Sequence, residues 1–140
     1  MFDRYTKLFC IGYILSMILL MIVTILLGLI FNIDVPTGAS IATIIGGTVF
    51  VSSKYAYEVG HVPVSSVSWK YAFRWSLFAI LSSASLVLGI LLFQPEVAAV
   101  IFGNILVFLM LLLLVFMVCV LIIRITFPYF VQTQLRMNKN

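Results

Sequence analysis

The groups of this chain that could move a proton, hold a metal or attack an electrophile are few: Asp3, Asp34, Glu58, Glu96, His61, Cys10 and Cys119. A proton-coupled transporter needs a carboxylate inside an apolar span, where a charge costs about 2.5 to 3.5 kcal/mol and is kept only for a task. All four acids instead fall between or beside the apolar runs. A lone histidine and two widely separated cysteines lack the local spacing of a zinc site. Glu58 and His61 read as a solvated loop pair, and no G-x-S-x-G, Walker loop or dinucleotide fingerprint accompanies the serines and glycines. The two thiols read as small buried hydrophobes rather than a disulfide. Asn104 is the one strongly polar side chain expected well inside a run, where it reads as an interhelical hydrogen-bonding group rather than a solute contact. No catalytic, cofactor-binding or metal residue is therefore assigned, and no cofactor is expected.

The elements that hold these groups follow from hydropathy. The 140 residues are 64% hydrophobic and 9% charged, with a mean hydropathy of +1.28, whereas a soluble domain carries roughly 25% charged residues. Charge is absent from Leu8 to Ile33, Val35 to Ser53, Trp75 to Pro95 and Val97 to Ile123. Each run approaches or exceeds the roughly 20 residues needed to cross a hydrocarbon core. The sequence predicts an all-α, integral membrane four-helix bundle of two transmembrane hairpins. Its helices are expected at about 8–31, 37–59, 67–93 and 97–127, with a loop at about 60–66 and a frayed tail at about 128–140. The first run is longer than a secretory h-region and no A-x-A site follows it, so it reads as a span.

Basic residues set the orientation. Arg4 and Lys7 precede the first run; Lys54, Lys70 and Arg74 lie between the second and third; Arg124, Arg136 and Lys139 follow the fourth. The other two connections hold only Asp34 and Glu96. Excess Lys and Arg marks cytoplasmic segments, so both termini are expected in the cytoplasm of a multi-pass inner-membrane protein. The net charge of +4 expresses this bias and is no nucleic-acid footprint.

Small residues then indicate where helices meet. Gly12, Ser16, Thr24 and Gly28 form a stripe on the first helix. The second is denser: Gly38, Ala39, Ser40, Ala42, Thr43, Gly46 and Gly47 are the helix-packing candidates, with Ala39, Thr43 and Gly47 in one i+4 row and Ala42 and Gly46 in another. Two rows predict a face that meets two neighbours, because close approach drives helix association in lipid. The third helix, also rich in Ser and Ala, reads as its partner, and the Leu-rich fourth as the most lipid-facing. After Lys54 the chain is expected to stop at Gly60 and turn through His61 and Pro63, with Ser65, Ser66 or Ser68 capping the third helix. Tyr55, Tyr57, Trp69, Tyr71 and Trp75 read as an interfacial aromatic group. Pro128 is expected to end or kink the fourth helix.

The run Gly38-Ala-Ser-Ile-Ala-Thr-Ile-Ile-Gly46, followed by Lys54-Tyr55, Gly60-His-Val-Pro63 and Trp69, resembles a family of small four-helix bacterial inner-membrane proteins without an assigned activity. Its members share an S-[IV]-A-x-[IL]-[IV]-G run, a lysine and aromatic, a G-x-x-P turn and a following tryptophan. Many carry Arg at the position of His61. The resemblance covers about residues 36 to 75 and implies a fold and a location, and it singles out Lys54, Gly60, His61, Pro63 and Trp69 as loop candidates.

These observations favour a noncatalytic membrane protein that acts through helix contacts, as a homo-oligomer or as an accessory subunit of an unidentified membrane partner. Membrane lipid is its surroundings and nucleic acid is not a partner. The alternative is a small-solute transporter or channel built from several copies, with the glycines of the second helix lining the path. An enzyme acting on lipid ranks below both.

Overall fold

The computed structural model describes residues 3–31, 39–93 and 103–138. They form four helices, α1 (Arg4–Phe31), α2 (Ala39–Val59), α3 (Ser65–Phe93) and α4 (Ile105–Met137), with no strand among the described residues. Two of the helices, over Arg4–Leu26 in α1 and Ile105–Met137 in α4, are long and apolar enough to cross a membrane. Within its described side chains, α2 carries Lys54 and Glu58, and α3 opens with Lys70 and Arg74.

α1 and α2 pack antiparallel along one continuous seam. At one end Arg4 pairs with Glu58; in the middle Gly12 lies against Phe50; further along Gly46 lies against Ser16. The next neighbour of α2 is α4, and α3 packs chiefly on α4, with a thinner seam to α1. The order around the bundle is therefore α1, α2, α4, α3. This corrects the expectation that α3 partners α2: α2 spends its small face on α1 and α4, while α3 presents Trp75 to both α1 and α4.

The core sits at one end. Its buried members are Phe9 and Tyr13 of α1; Ile44, Val51, Tyr55 and Ala56 of α2; Tyr71, Ala72, Trp75 and Ala79 of α3; and Cys119, Val120, Ile123, Phe127 and Val131 of α4. Past Tyr13 in α1, past Ala79 in α3 and before Cys119 in α4, no described side chain is buried. The end that carries the basic residues is thus closed by aromatic packing, and the opposite halves of α1 and α4 expose Leu, Ile, Val and Met.

The α2–α3 turn follows from local chemistry. Gly60 adopts φ 72°, a left-handed conformation that costs an L-residue with a Cβ about 1 to 2 kcal/mol, and its N–H bonds the Ala56 carbonyl at 3.1 Å. A Cβ at Gly60 would meet nothing within 4 Å, so the requirement there is conformational rather than steric. α3 starts at Ser65 directly after Pro63 and Val64. The expected serine cap is absent: the Val64 carbonyl receives both the Ser68 N–H, at 3.0 Å, and the Ser68 hydroxyl, at 3.3 Å.

α4 departs from expectation at both ends. It continues through Pro128 to Met137, so residues 128–137 are helical where a frayed tail was expected. An interior proline costs about 3 kcal/mol, but Phe127 and Val131, one turn apart, are fully buried, each contributing about 1.5 to 3 kcal/mol. Burial outweighs the proline. At the other end Asn104 is the residue preceding the helix, with φ −126° and ψ 39°, and it is exposed. Its carbonyl receives the Phe108 N–H at 3.0 Å. It marks the boundary of α4 rather than a position within that helix.

Candidate functional site at the basic end

Trp75 is the centre of the closed end. Fully buried, it stacks on Phe9 with centroids 4.8 Å apart and planes 4° from parallel, stacks on Tyr71 at 5.0 Å, and meets the edge of Phe127 at 5.0 Å. Phe127 also meets Tyr55 at 5.3 Å and Tyr71 at 5.9 Å. One phenylalanine near the end of the chain thus joins α2 and α3, and one tryptophan joins α1 and α4. Such ring pairs add roughly 0.5 to 1.5 kcal/mol each beyond their buried area.

Polar groups at the rim hold the start of α1 onto this cluster. The Tyr71 hydroxyl donates to the Asp3 carboxylate. The Tyr5 hydroxyl donates to Glu58 Oε2 at 3.0 Å, and Arg4 Nη2 lies 2.9 Å from Glu58 Oε1. Tyr71 precedes the charge-free run of α3; burial first, then its bond to Asp3, push its phenol above the usual range, so it remains a donor at neutral pH. Both acids at this end serve as acceptors for neighbouring helices, and Glu58 bonds Tyr5 and Arg4 rather than His61.

Within the apolar segments, hydroxyls are turned back onto their own helices. Thr48 donates to Ile44 O, Ser52 to Thr48 O, Ser53 to Val49 O, Ser83 to Ala79 O, and Thr126 to Ile122 O; Ser52 also reaches across to the Phe127 carbonyl of α4 at 3.5 Å. The buried polar atoms Thr6 Oγ1, Trp75 Nε1 and Ser76 Oγ have no hydrogen-bond partner among the described residues. Cys10 is half-buried and Cys119 buried, both as free thiols. Among the described residues no cluster of His, Cys, Asp and Glu could hold a metal ion.

The packing candidates are placed unevenly. A Cβ on Gly46 would collide with Ser16 Oγ, and one on Gly47 would lie 3.0 Å from Phe9 Cε2 and 3.2 Å from the Tyr13 backbone nitrogen. Thr43 is buried, but Ala42 is exposed: the Ala42–Gly46 row meets α1 only at Gly46. Gly38 lies outside the described residues, and Ala39 and Ser40 open α2 with side chains outside the description. Of the loop candidates, Lys54 is exposed, its ammonium 6.0 Å from the Tyr57 ring centroid. His61 is exposed with Nδ1 3.1 Å from its neighbour's Val62 carbonyl, and Pro63 is buried. Trp69 is on α3 with the Arg124 guanidinium of α4 over its ring, 4.4 Å from the centroid. Among the described residues no contact joins Lys54 to Trp69, because α2 and α3 lie diagonally across the bundle, each packed on α1 and α4.

The expected interfacial aromatic group divides. Tyr57 and Trp69 are exposed, whereas Tyr55, Tyr71 and Trp75 are core. The signal was periodic: Ser68, Tyr71, Ala72, Trp75, Ser76 and Ala79 recur at helical spacing and are all buried. Phe9 and Phe127 were hidden among many equivalent apolar residues. Comparisons of this chain with family models, curated proteins and solved structures found no match.

Proposed function

We propose that this chain is a noncatalytic, multi-pass protein of the bacterial inner membrane, with four spans and both termini cytoplasmic. It acts through helix contacts, as a homo-oligomer or as an accessory subunit of a larger membrane complex. The observation that carries this reading is the unequal division of the bundle: an aromatic, hydrogen-bonded basic end, and opposite halves of α1 and α4 whose Leu, Ile, Val and Met side chains are exposed on nearly every turn. In water such a surface far exceeds the few hundred Å² of contiguous apolar patch that a monomer tolerates. Lipid and neighbouring helices are the surroundings that accept it. The clustering of basic residues at one end supports the orientation. Gly46 and Gly47 lie against α1, a placement that weighs against a solute path lined by those glycines.

Single cysteines introduced at Leu19, Leu113 or Leu114 in a Cys10→Ser/Cys119→Ser background test the contacts by cross-linking in native membranes. A homodimer band supports self-association, and a stoichiometric band with an unrelated protein supports the accessory role. Absence of both at all three positions defeats the contact reading.

A further inference from the structure

The carboxylates at the basic end are already engaged. Asp3 accepts from Tyr71, and Glu58 accepts from Tyr5 and pairs with Arg4. Asp34 and Glu96 lie outside the described residues. Among the described residues, Lys70, Arg74 and Arg124 have no carboxylate within ion-pairing distance, and Arg4–Glu58 is the only ion pair. Arg124 is the most constrained of these cations. It directly follows the charge-free run ending at Ile123, it is half-buried, and Leu121 and Ile125 beside it are exposed. Its guanidinium rests on Trp69, itself 40% exposed, at the seam between α3 and α4. Phe73 and Phe116, with centroids 5.1 Å apart, close the same seam one turn further along α3. Lys70 and Arg74 follow Trp69 and Phe73 in sequence and are exposed.

We propose that this α3–α4 seam binds the phosphate of an anionic phospholipid, with Arg124 as its main contact and Lys70 and Arg74 beside it. The inference rests on the membrane-spanning reading above. Arginine's planar fork suits a phosphate bidentately, and tryptophan is at home at headgroup depth. The exposed apolar side chains flanking Arg124 accept acyl chain, which an acidic soluble partner would not supply. A lipid phosphate thus provides both the missing counter-charge and the apolar contact.

The test uses full-length protein in neutral detergent, with thermal unfolding followed after adding phosphatidylglycerol, phosphatidylcholine or inorganic phosphate at equal concentration, and retained lipid counted by native mass spectrometry. Phosphatidylglycerol should raise the Tm and remain bound. Arg124→Gln should remove most of that shift and lower retention about fivefold, the effect of one basic residue near an anionic surface. Arg124→Lys should be intermediate, and Arg136→Gln unchanged. The double variant Lys70→Gln/Arg74→Gln should also weaken retention, and it decides the matter if Arg124→Gln does not fold. An equal shift with inorganic phosphate or phosphatidylcholine, or equal retention in all variants, overturns the site. Alkaline carbonate extraction separates the two readings: a chain that stays in the pellet but ignores phosphatidylglycerol loses only the lipid site, whereas a chain released by carbonate loses both.

Discussion

Gly46 on α2 faces Ser16 on α1 so closely that a single added Cβ would run into the serine hydroxyl oxygen. Gly47 beside it is nearly as tight, against the Phe9 ring and the Tyr13 backbone.

Gly46→Leu and Gly47→Leu should therefore push the two helices apart. Overpacking of this kind typically costs about 1 to 3 kcal/mol, read as lower yield and a lower Tm in detergent. Leu113→Ala is the control, since Leu113 is 66% exposed and should cost less. Equal losses at all three positions would contradict the packing described here.

Trp75 and Phe127 touch at 5.0 Å and are both fully buried. Either one changed to Ala should cost about 3 to 5 kcal/mol, and the pair should be non-additive because the residues share a contact. A double-mutant cycle by chemical denaturation measures this. Strict additivity would mean that the two rings do not meet in the folded protein.

The rim interactions should differ in worth. The Arg4 side chain is 68% exposed, so Arg4→Gln should change stability by at most about 1 kcal/mol, and less in high salt. Tyr71 is buried beneath Asp3, so Tyr71→Phe should loosen the first turn of α1 and cost about 0.5 to 1.5 kcal/mol. Hydrogen exchange across residues 3–9 distinguishes the two: faster exchange in Tyr71→Phe than in Arg4→Gln is expected.

Gly60→Ala should cost about 1 kcal/mol through backbone conformation alone, and Gly60→Asn less, because asparagine tolerates positive φ. Since no atom lies within 4 Å of the absent Cβ, a larger loss for Gly60→Val than for Gly60→Ala would have to come from backbone preference. Thermal melts of the three variants rank them.

The helical character and the Gly60 turn were legible in the sequence because each has a local cause: long apolar runs, and a glycine followed by a proline. The helix order was not. Small residues mark a face as able to approach another helix but do not say which one, and α3, as rich in Ser and Ala as α2, turns to α4 instead. Pro128 misled for the opposite reason. Its cost is local and readable, whereas the burial of Phe127 and Val131 that outweighs it depends on partners far away in the chain. The same holds for Tyr71 and Trp75, whose residue types suit an interface but whose spacing belongs to a core.

Placing α4 between α2 and α3 has a consequence for biogenesis. The residue that joins Tyr55, Tyr71 and Trp75 is Phe127, on the last of the four described helices. Synthesis proceeds from the N-terminus, so until α4 emerges the aromatic faces of α2 and α3 lack the ring that joins them. This cluster closes only once α4 has been made. A chain truncated before Phe127 would retain nearly all its hydrophobic length yet leave this aromatic cluster open.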